Sequence, residues 1–241
     1  MNWKAQGKYG SVREIQSYPD GPKIRVARRF LSGLVKDFAS WNRDFRKCAG
    51  LFPVMFRERQ ISGGLFKAIL HSGAQALAEP PIKRKRRGVP EKRGWADFVA
   101  YFDDTMWILE VKHTYCKLNY FKKTELKWLS GEWKDAVEKV ESSGRTALGD
   151  WGEGWHTHFG ATLHIVLVYQ QHKMKAKVQS VSEREVVNYV RSLSSHLSPK
   201  PNWIWLWSLN HKLQEAQEYD EKWENYPAVC FFIYLKRLDV G

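Results

Sequence analysis

Apolar residues first recur at helical spacing after Pro22. Ala27, Phe30, Leu31, Leu34, Val35, Phe38, Trp41 and Phe45 form one stripe, with Arg and Lys between them. This spacing predicts an amphipathic helix that ends near Cys48, before Ala49-Gly50. Residues 1–21 are polar and broken by Gly and Pro, and read as an irregular lead-in. A second helix is expected over 54–71, "VMFRERQISGGLFKAILH", with Gly63-Gly64 as its weak point.

The period then changes. Residues 74–79 predict a short strand. Residues 95–102 and 106–113 alternate around Asp103-Asp104-Thr105, the pattern of a hairpin. Helical spacing returns over 125–142, with a break expected at Gly131. Residues 145–160 read as a loop, and "ATLHIVLVYQ", 161–170, is the clearest strand in the chain. Ser182-Glu183-Arg184-Glu185 is a capping box that opens a helix with Val186, Val187, Val190, Leu193 and Leu197 on one face. "NWIWLWSL" reads as a strand with Trp203, Trp205 and Trp207 on one side and Ile204 and Leu206 on the other. A polar helix is expected at about 210–222 and a closing strand at 228–238. No internal repeat is visible. Mixed helices and strands place the chain in the α/β or α+β class.

Size and composition narrow the picture. At 241 residues, the chain suits one large domain. Its parts are an N-terminal arm and helix (1–50), a core (51–175) and a C-terminal helix/strand extension packed on the core (176–241). A hydrophobic fraction of 43% with twelve Trp supplies a packed core, which excludes global disorder. No apolar run approaches the roughly 20 residues of a membrane span. The first residues lack an apolar signal core. The three Cys are widely spaced with no CxxC pair, which excludes a zinc knuckle and fits a reduced, intracellular (cytoplasmic) protein.

Lys and Arg number 39 against 26 Asp and Glu, a net charge of +13. That excess predicts a polyanionic partner, with nucleic acid first. Much of it sits in "PPIKRKRRGVPEKRG", where Lys83, Arg84, Lys85, Arg86, Arg87, Lys92 and Arg93 stand against a single acid. This segment reads as a solvated loop and a candidate phosphate clamp.

The hairpin carries the candidate chemistry. Residues i and i+2 share a strand face, so Glu110 and Lys112 point together with Ile108, while Trp107, Leu109 and Val111 point the other way. A two-residue loop at Asp103-Asp104 puts Asp97 opposite Glu110. A four-residue loop puts it opposite Lys112. A three-residue loop without a bulge sends it to the wrong face. Two close carboxylates resist ionising together, and a hard divalent cation relieves that. Lys112 beside such a cation is placed to orient or deprotonate a water, or to stabilise developing phosphoryl charge. The plainer reading is a cross-strand ion pair worth about 0.2 to 1 kcal/mol.

Asp97, then twelve intervening residues, then Glu110-Val111-Lys112 resembles the signature of the PD-(D/E)xK nuclease superfamily. The region from about 54 to 170 also matches that superfamily's order of elements, a restriction-endonuclease-like core of helix, three-strand meander, helix and strand. One departure is Ala96 where the family often has Pro. The resemblance implies that Asp97 and Glu110 hold Mg²⁺ (or Mn²⁺) with the Val111 carbonyl, that Lys112 acts on the attacking water, and that Glu58 assists from the first core helix. Glu79 is a fallback acid and Gln60 a bystander. The implied function is a Mg²⁺-dependent endonuclease acting on DNA, of restriction or defence type, with RNA and a second copy of the chain as further candidate partners. The rival reading is a nuclease-like fold that only binds DNA or RNA. His156 and His158 read as loop residues, and His113 as facing away from Lys112.

Overall fold

The computed structural model describes residues 10–18, 24–84, 92–118, 123–143, 157–173, 181–209, 217–219 and 222–238. In chain order they form β1 (Ser11–Gln16), α1 (Ile24–Ala49), a 3-10 turn (Pro53–Met55), α2 (Glu58–His71), β2 (Gln75–Ala78), β3 (Pro81–Arg84), β4 (Lys92–Trp95), β5 (Phe98–Phe102) and β6 (Thr105–Lys117). Then follow α3 (Lys123–Ser142), β7 (Thr157–His172), α4 (Glu183–Ser195), β8 (Trp203–Ser208), β9 (Gln217–Tyr219) and β10 (Lys222–Leu238).

Seven strands hydrogen-bond in the order β1-β8-β10-β7-β6-β5-β2, and β9 pairs with β10 beside this path. β6 and β7 run parallel and are joined through α3. The other neighbours are antiparallel. The class is therefore mixed α/β, with one mixed sheet between two helical layers. Phe30, Leu34 and Phe38 of α1 and Ile61 and Leu65 of α2 pack on the face that carries Trp107, Leu109, Trp203 and Phe231. Leu129 and Trp133 of α3 and Val190 and Leu193 of α4 pack on the face that carries Val166, Ile204, Cys230 and Phe232. α1 and α2 meet at Gly64, where an added Cβ would lie 2.1 Å from the Trp41 ring.

Most expected elements form, and the departures have physical causes. The lead-in contributes β1, because Ser11–Gln16 finds a partner in the edge of β8. The second helix starts at Glu58, since Pro53 opens a separate 3-10 turn. α3 runs through Gly131 without a break. At Gln217–Tyr219 the expected polar helix is replaced by a strand on β10, where ladder pairing satisfies a backbone that has no apolar face to bury; residues 210–216 lie outside the described residues. β7 begins at Thr157, so His158 is a buried strand residue and not part of a loop; His156 lies outside. Trp203, Trp205 and Trp207 are core residues, which removes them from any nucleic-acid or dimer surface. In the basic segment, Lys83 and Arg84 pair with Arg93 and Lys92 in a two-stranded β3–β4 sheet. Lys85, Arg86 and Arg87 lie outside the described residues.

Candidate active site

The Asp103-Asp104 turn sets the hairpin register. Both residues have left-handed φ, 50° and 53°, as a two-residue type I′ turn requires and as Asp tolerates. Phe102 therefore faces Thr105, and pairing runs to Phe98↔Leu109. This is the register that aims Asp97 at Glu110. The ladder stops one residue short of that pair. Ala96, next due to face Val111, donates its N–H to Pro80 O at 3.2 Å, and Glu79 N–H donates to Asp97 O at 3.0 Å. The chain is thus drawn off toward β3 and β4. Glu79 turns it with a φ of 50° directly before Pro80, a strained combination.

A side chain fills the vacated place beside β6. Val111 N–H donates to Asp97 Oδ2 at 2.6 Å. In a strand, the N–H and C=O of one residue face the same neighbour, so the Val111 carbonyl points out of this same edge. Two residues on, the His113 amide lies near the Glu58 carboxylate and favours its charged form. Asp97 therefore caps one outward amide where β5 has departed, and Glu58 lies beside the next.

Glu58 is placed by the turn that precedes it. Val54 N–H donates to the buried Asn42 Oδ1 at 2.8 Å, and Asn42 Nδ2 donates to Phe38 O at 2.9 Å. His113 Nε2–H donates to Val54 O at 2.9 Å, and Tyr115 O–H donates to Met55 O at 2.9 Å. Burial lowers the His113 pKa to about 4, so the ring is neutral and needs this bond. α2 thus starts above the β6 edge with Glu58 in its first turn, where the helix dipole favours an acid. Burial nevertheless raises the Glu58 pKa; the nearby Asp97 and Glu132 charges add to the rise, and Lys112 and the His113 amide oppose it.

Lys112 lies on the α3 side of β6. Its side chain is 15% exposed and its Nζ is 3.5 Å from Glu132 Oε2 of α3. Burial works against its charge, but the fields of Glu58, Glu132, Asp97 and Asp135 outweigh it and raise the pKa. Lys112 is therefore a held ammonium, matched to the carboxylates around it. Beneath it, His164 stands in register and bonds Thr114 Oγ1 through Nε2 at 3.0 Å. Burial takes His164 to a pKa of about 3.

Two clefts meet at Glu58 and Arg59. The first, about 340 Å³, is lined by Asp97, Val111 and Glu79 among others. The second, about 800 Å³, is walled by Arg57, Gln60, His113, Tyr115, Trp128 and Glu132. The structure brings Glu58, Asp97, Val111 and Lys112 into one neighbourhood. Glu110 is set apart: it is 1% exposed, pairs in register with Thr162, and lines neither cleft. Glu132 is the site residue that the sequence reading missed. Nothing in "LSGEWKD" separates it from other surface acids of an amphipathic helix.

Among the described residues, no three His, Cys, Asp or Glu side chains gather into a metal-holding group. Two carboxylates and an outward carbonyl at one edge still match Mg²⁺, which takes one or two carboxylates and keeps several waters. Comparison with protein-family models, curated proteins and solved structures finds no match for this chain.

Proposed function

We propose that the chain is a Mg²⁺-dependent nuclease that hydrolyses phosphodiester bonds of DNA, in restriction or another defence role. The observation that carries the reading is the splayed edge of β6. There Asp97 and Glu58 face one cleft with Val111, and the Lys112 ammonium lies within their field. The element order α2-β2-β5-β6-α3-β7 supports the same reading.

In this proposal Asp97, Glu58 and the Val111 carbonyl hold the cation. When bound, Mg²⁺ or Mn²⁺ supplies charge neutralisation at the phosphate and a more acidic water. Lys112 donates hydrogen bonds to the attacking water or to a phosphate oxygen and stabilises the charge that develops there. As an ammonium it orients the water and is not its base. Glu132 holds Lys112 in place. The motif also assigns Glu110 to the cation, but its burial leaves the proposal resting on Asp97 and Glu58. The basic β3–β4 segment, with Arg93 exposed on it, would contact phosphates.

The test is cleavage of plasmid and of single-stranded DNA in Mg²⁺, with EDTA as the control. Asp97→Ala and Lys112→Ala should each abolish cutting while the circular dichroism spectrum and DNA binding persist. Unimpaired cutting by either variant rejects the proposal. The burial of Glu110 favours a second reading, a nucleic-acid-binding module without catalysis. Binding with no Mg²⁺-dependent cutting of duplex, branched or single-stranded DNA or of RNA selects it.

A further inference from the structure

A third depression continues the two clefts. It holds about 290 Å³ and is lined by Met55, Arg57, Tyr115, Tyr169, Glu224 and Tyr226. It shares Arg57 and Tyr115 with the second cleft, which shares Glu58 and Arg59 with the first. One groove therefore runs from Asp97 past Trp128 to Tyr226.

Its walls combine aromatic faces with exposed guanidinium groups. Trp128 is 53% exposed, although Trp133 of the same helix is fully buried, so α3 does not lack core positions for Trp. The tyrosines are held in place: Tyr115 O–H bonds Met55 O at 2.9 Å and Tyr226 O–H bonds Glu224 Oε2 at 2.8 Å. Glu58, Glu79 and Asp97 stand at the catalytic end of the groove, where the nuclease reading gives Glu58 and Asp97 to the cation, and the acids beyond that end are engaged. Glu224 Oε1 also accepts from Gln171 at 3.0 Å, and Glu132 is paired with Lys112. Arg57 and Arg59, both exposed, remain to meet an anionic ligand.

We propose that this groove binds single-stranded nucleic acid, and that the strand reaches the Asp97–Lys112 site unpaired. Bases stack on Trp128, Tyr115 and Tyr226 while phosphates follow Arg57 and Arg59. A duplex keeps its base faces inside and gives such walls nothing to stack on, whereas aromatic platforms beside guanidinium groups suit unpaired strands of any sequence. This inference names the substrate for the nuclease reading and rests on it.

Fluorescence anisotropy in EDTA, where no cutting occurs, tests it. The probes are a labelled oligodeoxynucleotide of roughly 12 residues, its duplex and the matching oligoribonucleotide. At least one single strand should bind about tenfold or more tightly than the duplex. Trp128→Ala and Tyr226→Ala should each weaken that binding by about fivefold to a hundredfold. Trp128→Phe should restore most of it. The better of the DNA and RNA arms identifies the strand. Equal or tighter duplex binding, or unchanged single-strand affinity in both alanine variants, overturns the proposal. Binding that follows this pattern without Mg²⁺-dependent cutting rejects the nuclease reading alone.

Discussion

The Asp97 carboxylate stands 2.6 Å from the Val111 amide nitrogen, in the place the Ala96 carbonyl would occupy if the hairpin ladder ran two pairs further. Asp97 therefore completes the sheet edge and supplies charge to the cleft. The two roles are separable. Asp97→Ala should cost about 1 to 2 kcal/mol, because the edge amide loses a charge-assisted bond but can reach water. Asp97→Asn keeps an acceptor and should recover most of that stability. Neither variant should cleave. Urea unfolding beside cleavage of plasmid and single-stranded DNA reads both effects, and cutting by the Asn variant at the wild-type rate would show that the charge is not needed.

Glu58 gives a pH signature. Its folded pKa is raised above 4.5, first by burial and then by Asp97 and Glu132. The folded state thus binds this proton more tightly than the unfolded chain, and stability is lost as pH rises through the window above 4.5. Glu58→Gln should raise the urea midpoint at about pH 7 and give no gain near pH 3.5. Cleavage by the wild type should rise with pH through the same window as Glu58 ionises.

Lys112 titrates in the opposite sense. Burial lowers its pKa, but Glu58, Glu132, Asp97 and Asp135 together raise it above 10.5. Its stabilising contribution is present below 10.5 and is lost as pH rises through the higher folded value. The stability advantage of wild type over Lys112→Met should hold at about pH 8 and shrink at about pH 11.5. A cleavage rate that fell between about pH 8 and 9.5 with a lysine-like limb would contradict a held ammonium. Glu132→Gln should lower activity and leave the fold intact, since it loosens Lys112 without removing it.

Two adjacent glycines make a sharp stability test. A Cβ on Gly63 meets nothing within 4 Å, whereas one on Gly64 would overlap the Trp41 ring. Gly63→Ala should stabilise by about 0.5 to 1 kcal/mol through helix propensity. Gly64→Ala should destabilise by about 1 to 3 kcal/mol, the range for overpacking. Thermal melts of the two variants should move in opposite directions.

Much of this arrangement is legible in the residues. The alternation of "TMWILEVK" fixes which side chains face which layer, and Asp103-Asp104 selects the turn that sets the register. The Ser182 capping box marks the start of α4 to the residue. The rest depends on distant partners. Ser11–Gln16 and Gln217–Tyr219 lack a strong period because each is a strand by virtue of the edge it meets. The splay at Ala96 arises from Pro80, sixteen positions earlier, and no local pattern shows it. Glu110 and Lys112 look equivalent by alternation, yet one is buried and the other is met by Glu132 of α3.

β10 comes last among the described elements, yet it lies between β7 and β8 in the sheet. Every side chain of the candidate site belongs to the segment 58–132, which the ribosome completes well before β10 emerges. Until then the β7 edge, lined by apolar side chains, stays open, and β8 with β1 has no sheet to join. Such an edge templates association with other chains. The nascent protein thus carries an assembled cleft on half a scaffold, and its need for chaperone protection should peak in the interval before residues 222–238 are made.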